Sequence, residues 1–184
     1  MYGGTSDTAV RLAELDSACQ ALGVRRHEVA WCDDHRAANP GAHLPELIQL
    51  LEAGVGVSLA ATRPRVLFLP SGQAHHQDHR AVHEAGIAAA RPGDPRSRWI
   101  PPTVVGYDGP EDRCWRAMGE RPLLVDVSDC WSEKEKALSA YASQLRDAPH
   151  PRSIEVIRAL DVAAGAAIGT ELAERFLPYR MVFS

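Results

Sequence analysis

The sequence has 184 residues, of which 45% are hydrophobic and 24% charged, with a formal net charge of −4 at pH 7. This length fits one domain with its own core, and the acidic balance excludes a protein that binds nucleic-acid phosphates through a basic face. No apolar run approaches the ~20 residues of a membrane span, and the first residues do not form a secretion signal. Four widely spaced cysteines favour a reduced chain. We therefore expect a single cytoplasmic domain over residues 1–184.

Apolar periodicity and turn residues predict alternating helices and strands along the chain. A first helix is predicted over 8–22, and the apolar run at 65–69 is typical of a strand buried on both faces of a parallel sheet. Ser132 and Glu135 have the spacing of a capping box. The remaining predicted elements are strands at 27–31, 103–107 and 123–127 and helices at 45–54, 78–90, 132–145 and 153–175. For the last helix, a break at Gly165 or Gly169 is the alternative. This alternation predicts an α/β fold with a mainly parallel sheet and flanking helices.

Half of the eight histidines lie within nine residues, directly after the predicted strand at 65–69: His75, His76, His79 and His83. Their loop joins the carboxyl end of that strand to the start of a helix, where ligands of open α/β sheets gather. In a His-x-Asp-His pattern one imidazole can bind a divalent metal while the other, oriented by the carboxylate, exchanges protons. The alternative is a polar loop in which Asp78 caps the helix and the histidines are solvated. Spacing alone does not separate the two interpretations.

A family resemblance covers most of the chain. Residues 70–82, P-S-G-Q-A-H-H-Q-D-H-R-A-V, resemble the P-S-x-x-x-x-H-x-D-H-x-x-V signature of the PIG-L/LmbE-like N-acetylglucosaminyl deacetylases. Other segments resemble that family in the same order, namely 4–24, 125–128, 136–144 and 169–176. The resemblance implies a Rossmann-like fold and a metal-dependent hydrolase, usually a zinc enzyme, that removes acetyl groups from N-acetylglucosamine-type substrates.

The resemblance also implies roles for three residues of the histidine motif. His79 is expected to be a metal ligand, and His76 to assist the tetrahedral intermediate or the leaving amine. Asp78 is expected to orient His76 and balance its charge. Zinc, or another divalent metal, lowers the pKa of bound water to about 7 and polarises the amide carbonyl. We further expect an amino-sugar conjugate as the substrate, no nucleic-acid partner, no membrane span and a homo-oligomer.

Residues outside that triplet have weaker assignments. Arg11 matches a position that resembles a substrate contact of the family; the alternative is a surface helix arginine paired with Glu14 or Asp7. The resemblance gives His75 no role. His83, four residues after His79 on the same helix face, is interpreted as having no catalytic role.

One family motif is missing from this sequence. The family carries H-P-D-D after its first strand, which supplies a histidine ligand, an aspartate ligand and the general base, and no H-P-D-D occurs here. Catalytic zinc normally has three protein ligands, so His79 alone does not suffice. We interpret the chain as an N-terminally shortened form that lacks the first strand of the fold. Cys32-Asp33-Asp34-His35 is an alternative source of ligands, although a plain polar loop is favoured.

Three functional hypotheses therefore remain open at this point. The first is a zinc-dependent deacetylase of an N-acetylglucosamine-type sugar. The second is a catalytically degenerate member that keeps the fold and a sugar-binding pocket without hydrolysis. The third, a metal-buffering or scaffold domain with incidental histidines, is disfavoured by the length of the match.

Overall fold

The computed structural model describes residues 8–32, 35–54, 56–94, 96–115 and 121–183. The chain forms two compact units, one of Met1–His27 with Leu124–Arg175 and the other of Glu28–Leu123 with Phe176–Ser184. The predicted α/β class, with helices flanking a sheet, is confirmed. The assignment of the whole chain to one domain stays a prediction. None of the helices in the described ranges is long and apolar enough to cross a membrane.

Helices and strands alternate in the middle of the chain, between Leu59 and Ala140, whereas the described residues before Leu59 form helices and loops. The helices are α1 (Thr8–Ala21), α2 (His35–Ala38), α3 (Leu44–Ala53), α4 (Leu59–Thr62), α5 (Gln77–Ala89), α6 (Pro110–Trp115), α7 (Trp131–Ala140) and α8 (Ile154–Ala166). The strands are β1 (Val66–Pro70), β2 (Thr103–Tyr107), β3 (Leu123–Asp126) and β4 (Ala173–Met181). The predicted helices that correspond to α1, α3 and α5, and the predicted strands that correspond to β1, β2 and β3, are confirmed to within one residue at each end.

The sheet has the strand order β1-β2-β4-β3. Strands β1 and β2 are parallel, with Val66 opposite Thr103, as the sequence predicts for a strand–helix–strand unit. Strand β4 runs antiparallel to β2, with Tyr107 opposite Phe176. The first unit contains β4 up to Arg175, and the second unit contains the rest of that strand.

Strand β1 is covered on one face only, whereas the sequence predicts burial on both faces. Leu69 is 3% exposed and packs against Val104 in the core of the second unit. Helix α5 lies directly on this face, because a Cβ on Gly86 would be 2.3 Å from Leu69 Cδ2. Side chains alternate along a strand, so Val66 and Phe68 point the other way, and they are 43% and 53% exposed. The apolar run at 65–69 is continuous in the sequence, although only every second side chain points into the core.

The core of the first unit lies between α7, α8 and the start of β4. Trp131, Ile157 and Leu172 form a buried cluster. Beside it, the Lys134 ammonium donates to the carboxylate of Asp161 at 2.6 Å, and Asp161 is fully buried. An ion pair thus stands within an otherwise apolar contact between two helices.

Four predictions of secondary structure are wrong. The helix predicted over 132–145 ends at Ala140. Residues 27–31 are irregular and do not form a strand. The predicted capping box is absent, because the Ser132 hydroxyl donates to Glu133 and no side chain caps α7. The continuous helix predicted over 153–175 is not formed, and the alternative with a break at Gly165 or Gly169 agrees with the structure: α8 ends at Ala166, and the chain turns through Gly169 at φ +77° and then enters β4. Glycine adopts this left-handed conformation without strain, which makes it an effective helix stop.

Candidate functional site

The loop between β1 and α5 carries the predicted motif, and hydrogen bonds fix it at both ends. The Ser71 N–H donates to the Tyr107 carbonyl at the end of the neighbouring strand (2.8 Å). The Arg80 guanidinium, on the first turn of α5, donates to the carbonyls of Ala74 and His75, both at 2.7 Å. The loop therefore has a defined backbone, and its side chains project from fixed positions.

The structure brings together His76, Asp78 and His79 at the start of α5. His76 is the N-terminal cap of this helix, and its Nδ1 accepts from the Asp78 N–H at 3.3 Å. The Asp78 Oδ2 lies 3.4 Å from the same nitrogen, and the rings of His76 and His79 are 5.6 Å apart. The polar-loop alternative predicts that Asp78 caps the helix, whereas in the structure the N-terminal cap is His76.

The tautomer of the neutral His76 ring follows from this cap. A backbone N–H can only donate, so Nδ1 of the neutral ring is an acceptor and Nε2 carries the proton. When the ring gains a second proton, the Asp78 carboxylate stabilises the positive charge at 3.4 Å. His76 is therefore arranged to donate a hydrogen bond or a proton from Nε2.

Two causes lower the pKa of His79. The first is partial removal of solvent from the ring, and the second is repulsion by His76. The carboxylates of Asp112, Asp78 and Glu111 act against this shift but do not cancel it. The ring is thus kept neutral at physiological pH, which is the form that binds a metal ion.

A second imidazole–carboxylate pair adjoins the motif, and sequence reasoning missed it. His75 Nδ1 lies 2.8 Å from Asp112 Oδ1, and the His75 backbone N–H donates to the same oxygen at 2.8 Å. Burial by itself raises the pKa of Asp112, but the hydrogen bonds from His75 and from the Gly109 N–H outweigh it, so the net pKa is lowered. Trp115 packs edge-on against the His75 ring at 5.1 Å. The partners are 37 positions apart in sequence, a distance at which local spacing carries no signal.

His83 has a structural role in the second unit. Its Nδ1 donates to the Pro70 carbonyl at 2.9 Å, and its ring packs against Tyr179 at 5.2 Å. The ring fills the space above Gly72, where a Cβ would lie 2.7 Å from two ring atoms. A cavity of about 400 Å³ adjoins this contact, and it is lined by Gly72, Gln73, His83, Arg121, Leu177, Pro178 and Tyr179.

Arg11 lies in the first unit, on α1. Its surroundings agree with the alternative interpretation, a helix arginine that is paired with Glu14. Its guanidinium Nη1 is 4.0 Å from Glu14 Oε2 and its Cζ lies over the ring of Tyr141 at 5.9 Å. Glu14 itself accepts from the N–H and hydroxyl of Ser143, at 2.7 and 2.8 Å. The role of Arg11 as a substrate contact stays a prediction.

A complete metal site is not found among the described residues. Within the ranges that the structure describes, no three His, Cys, Asp or Glu side chains are grouped so that they could hold a metal ion. His79 therefore fits one ligand position, but the described residues do not supply a three-ligand set. Asp33 and Asp34, which belong to the alternative ligand segment, lie outside the described residues.

Comparisons with known proteins agree on one family. Residues 2–90 match the family model described as PIG-L: GlcNAc-PI de-N-acetylase. Two curated relatives, from Mycobacterium sp. strains JLS and KMS, are both 1D-myo-inositol 2-acetamido-2-deoxy-alpha-D-glucopyranoside deacetylases. Each is 29% identical over 178 residues, which cover 78% of this chain and 56% of the relative. The chain thus spans little more than half the length of these relatives.

Solved structures share the fold. The conserved protein TT1542 from Thermus thermophilus has a TM-score of 0.72 at 24% identity, over 99% of this chain and 78% of that protein. The N,N'-diacetylchitobiose deacetylase from Pyrococcus horikoshii has a TM-score of 0.66 at 18% identity, over 96% of this chain and 68% of that protein. The predicted resemblance to the PIG-L/LmbE-like deacetylase family is therefore confirmed, with the family match carried by residues 2–90 and the fold shared over almost the whole chain.

Proposed function

We propose that this chain is a hydrolase that removes the N-acetyl group from an N-acetylglucosamine-type sugar or sugar conjugate. The observation that carries the proposal is the group of His76, Asp78 and His79 at the carboxyl end of β1 and the start of α5. This group has the acid–base side chains that amide hydrolysis needs. The printed names of the curated relatives, which describe deacetylation of such a conjugate, support the substrate class.

The reaction adds water to the amide carbonyl and then breaks the C–N bond, which yields acetate and a free amine. His76 carries its proton on Nε2 when neutral, so it can donate a hydrogen bond to the developing oxyanion, and as an imidazolium it can give that proton to the leaving nitrogen and become neutral. Asp78 supplies a negative charge 3.4 Å from the other ring nitrogen, which compensates the charge of an imidazolium. Asp78 thus orients His76 and balances its charge.

We propose zinc as the cofactor, with His79 as one of its ligands. A bound zinc ion lowers the pKa of water and polarises the amide carbonyl. The neutral His79 ring suits a ligand. Because the described residues contain no three-ligand set, no step of the reaction is derived through the metal. The cytoplasmic location and the homo-oligomer likewise stay predictions.

The second candidate is a degenerate member that retains the fold and a sugar-binding pocket without hydrolysis. The observation that favours it is that the described residues offer His79 without two further ligands. Its distinguishing property is sugar binding in the absence of turnover.

One experiment separates the two candidates. Purified protein is incubated with an N-acetylglucosaminyl inositol conjugate, free amine is measured with fluorescamine, and bound metal is measured by mass spectrometry. The proposal predicts stoichiometric zinc and amine release. The variant His79→Ala is expected to lose zinc, whereas His76→Ala keeps zinc and loses about 10²–10⁴-fold in kcat. Equal loss of zinc in both variants contradicts these roles, and a folded protein with neither zinc nor turnover favours the second candidate.

A further inference from the structure

We propose that the cavity of about 400 Å³ beside Gly72 and His83 binds a small hydroxylated ring that bears a negative charge, such as a sugar phosphate or a sugar acid. The seven described residues of its wall all belong to the second unit. The volume lies within the range of small-molecule sites in proteins, roughly 300–1,000 Å³. The inference goes beyond the proposed function, because it concerns what occupies this cavity and does not depend on hydrolysis of an amide.

The first support is the charge of the cavity wall. Of the seven described wall residues, Arg121 alone has a permanent charge, and none is a carboxylate. Arg121 is exposed, and within the described part of the chain no carboxylate forms an ion pair with it. A guanidinium group binds carboxylates and phosphates through two parallel hydrogen bonds. The wall therefore favours a ligand with an anionic group.

The second support is a fixed aromatic surface in the same wall. The Tyr179 ring lies over Gly106 of the neighbouring strand β2, because a Cβ on that glycine would be 2.7 Å from Tyr179 Cε2 and Oη. The His83 ring packs against the Tyr179 ring at 5.2 Å. Tyr179 nevertheless remains 42% exposed. A rigid aromatic ring offers the C–H groups of a sugar ring an apolar surface at a low cost in conformational entropy.

The third support is a fixed hydrogen-bond acceptor. His83 Nδ1 donates to the Pro70 carbonyl at 2.9 Å, so Nε2 of the neutral ring keeps its lone pair. This nitrogen lies beside Gly72, where a Cβ would be 2.7 Å from it, and both residues belong to the cavity wall. A ligand hydroxyl can donate to such an acceptor, whereas a purely apolar ligand would leave it without a partner. The wall therefore favours a ligand with hydroxyl groups.

Backbone hydrogen bonds hold the loop side of the cavity in place. The Gln73 N–H donates to the Ser71 hydroxyl at 3.2 Å, and the Ala74 N–H donates to the Ser71 carbonyl at 3.1 Å. Ser71 is itself fully buried. A wall that is formed before the ligand arrives needs little rearrangement on binding, so more of the interaction energy appears as affinity.

The test is isothermal titration calorimetry of the full chain with glucose 6-phosphate, glucuronate, glucose, inorganic phosphate and acetate. None of these probes contains an N-acetyl group, so the result is independent of deacetylation. We expect at least one of the two charged sugars to bind about tenfold more tightly than glucose, because only a charged ligand makes charge-assisted hydrogen bonds with Arg121. The tighter of the two identifies phosphate or carboxylate as the anionic group. Inorganic phosphate and acetate lack the ring and should bind about tenfold more weakly than the tighter sugar.

Arg121→Gln removes the charge and keeps a polar side chain. We expect it to weaken binding of the charged sugar by about 10–100-fold and to abolish its advantage over glucose. Arg96→Gln is the matched control, because Arg96 is another arginine of the second unit, its side chain is 90% exposed and it pairs with Asp94 away from the cavity wall. This variant should bind every probe as wild type does. Melting temperatures check that both variants are folded.

Four results would overturn the proposal. The first is equal affinity for glucose and both charged sugars, and the second is binding of the charged sugar to Arg121→Gln as tight as to wild type. The third is an equal loss of affinity in Arg96→Gln and Arg121→Gln, because general attraction to a cationic surface then explains binding. The fourth is binding of inorganic phosphate or acetate as tight as that of the charged sugars, because the ring contacts then contribute nothing. Each result leaves the proposed deacetylase function standing, and a failure of deacetylation leaves this site standing.

Discussion

Removing the Lys134 ammonium tests how the first unit tolerates its buried carboxylate. Lys134 donates to Asp161 at 2.6 Å and also to Glu174, and Asp161 is fully buried while Glu174 is 31% exposed. Lys134→Met keeps the length of the aliphatic stem and removes the charge. Breaking a buried pair by removing one partner costs about 3–5 kcal/mol, because the remaining charge is left in a medium that solvates it poorly. Asp161 retains a further partner, so the lower end of that range, about 3 kcal/mol, is expected.

The assay is urea denaturation followed by circular dichroism, with thermal melting as a second measure. A loss of about 3 kcal/mol lowers the melting temperature by roughly 6–12 °C in a protein of this size. Glu174→Gln is the control, and because water solvates Glu174 its replacement should cost about 1 kcal/mol or less. The double variant Lys134→Met, Asp161→Asn should recover most of the loss. Equal, small costs for Lys134→Met and Glu174→Gln would refute the claim that burial of Asp161 makes this contact important.

Two further predictions concern positions that fix the backbone. Gly72→Ala is expected to lower the free energy of unfolding by about 1–3 kcal/mol, because the new Cβ would lie 2.7 Å from the His83 ring, which is held by its hydrogen bond to the Pro70 carbonyl. Chemical denaturation measures this loss, and an unchanged denaturation midpoint would contradict the prediction. The Ser143 N–H and then its hydroxyl lower the pKa of Glu14 from its usual 4.5, against the effect of burial, so its contribution to stability is complete above that value and is lost as pH falls through the folded-state pKa. Glu14→Gln should therefore be less stable than wild type at pH 7 and should lose less stability on acidification. The measurement is the melting temperature of both proteins between pH 7 and pH 3. If the two melting temperatures fall by the same amount over this range, the predicted direction of the pH dependence is contradicted.

Most of the elements of the fold follow from local sequence patterns. Helix α5 was predictable because Pro70 and Gly72 end the strand before it and apolar residues then recur at helical spacing. Strand β4 was not, because Ala173, Glu174 and Arg175 favour helices by themselves. The position of β4 between β2 and β3 in the sheet overrides that local preference, and the sequence does not display such distant partners.

The candidate site, like the fold, was predictable from the sequence only in part. His76, Asp78 and His79 are within four residues of each other, so their spacing and the family resemblance predicted a shared site, and the structure brings them together. His75 lies in the same run, but its significance depends on Asp112, which reaches it through the separate helix α6. Long-range pairs of this kind leave no trace in spacing, and only the folded chain reveals them.

Amine release from an N-acetylglucosaminyl inositol conjugate tests the central claim most directly. Purified wild-type protein is expected to release free amine and acetate in equal amounts, and His76→Ala is expected to lower the rate by about 10²–10⁴-fold without unfolding the protein. A folded wild-type protein that releases no amine, or a His76→Ala variant that hydrolyses the conjugate at the wild-type rate, would contradict the account.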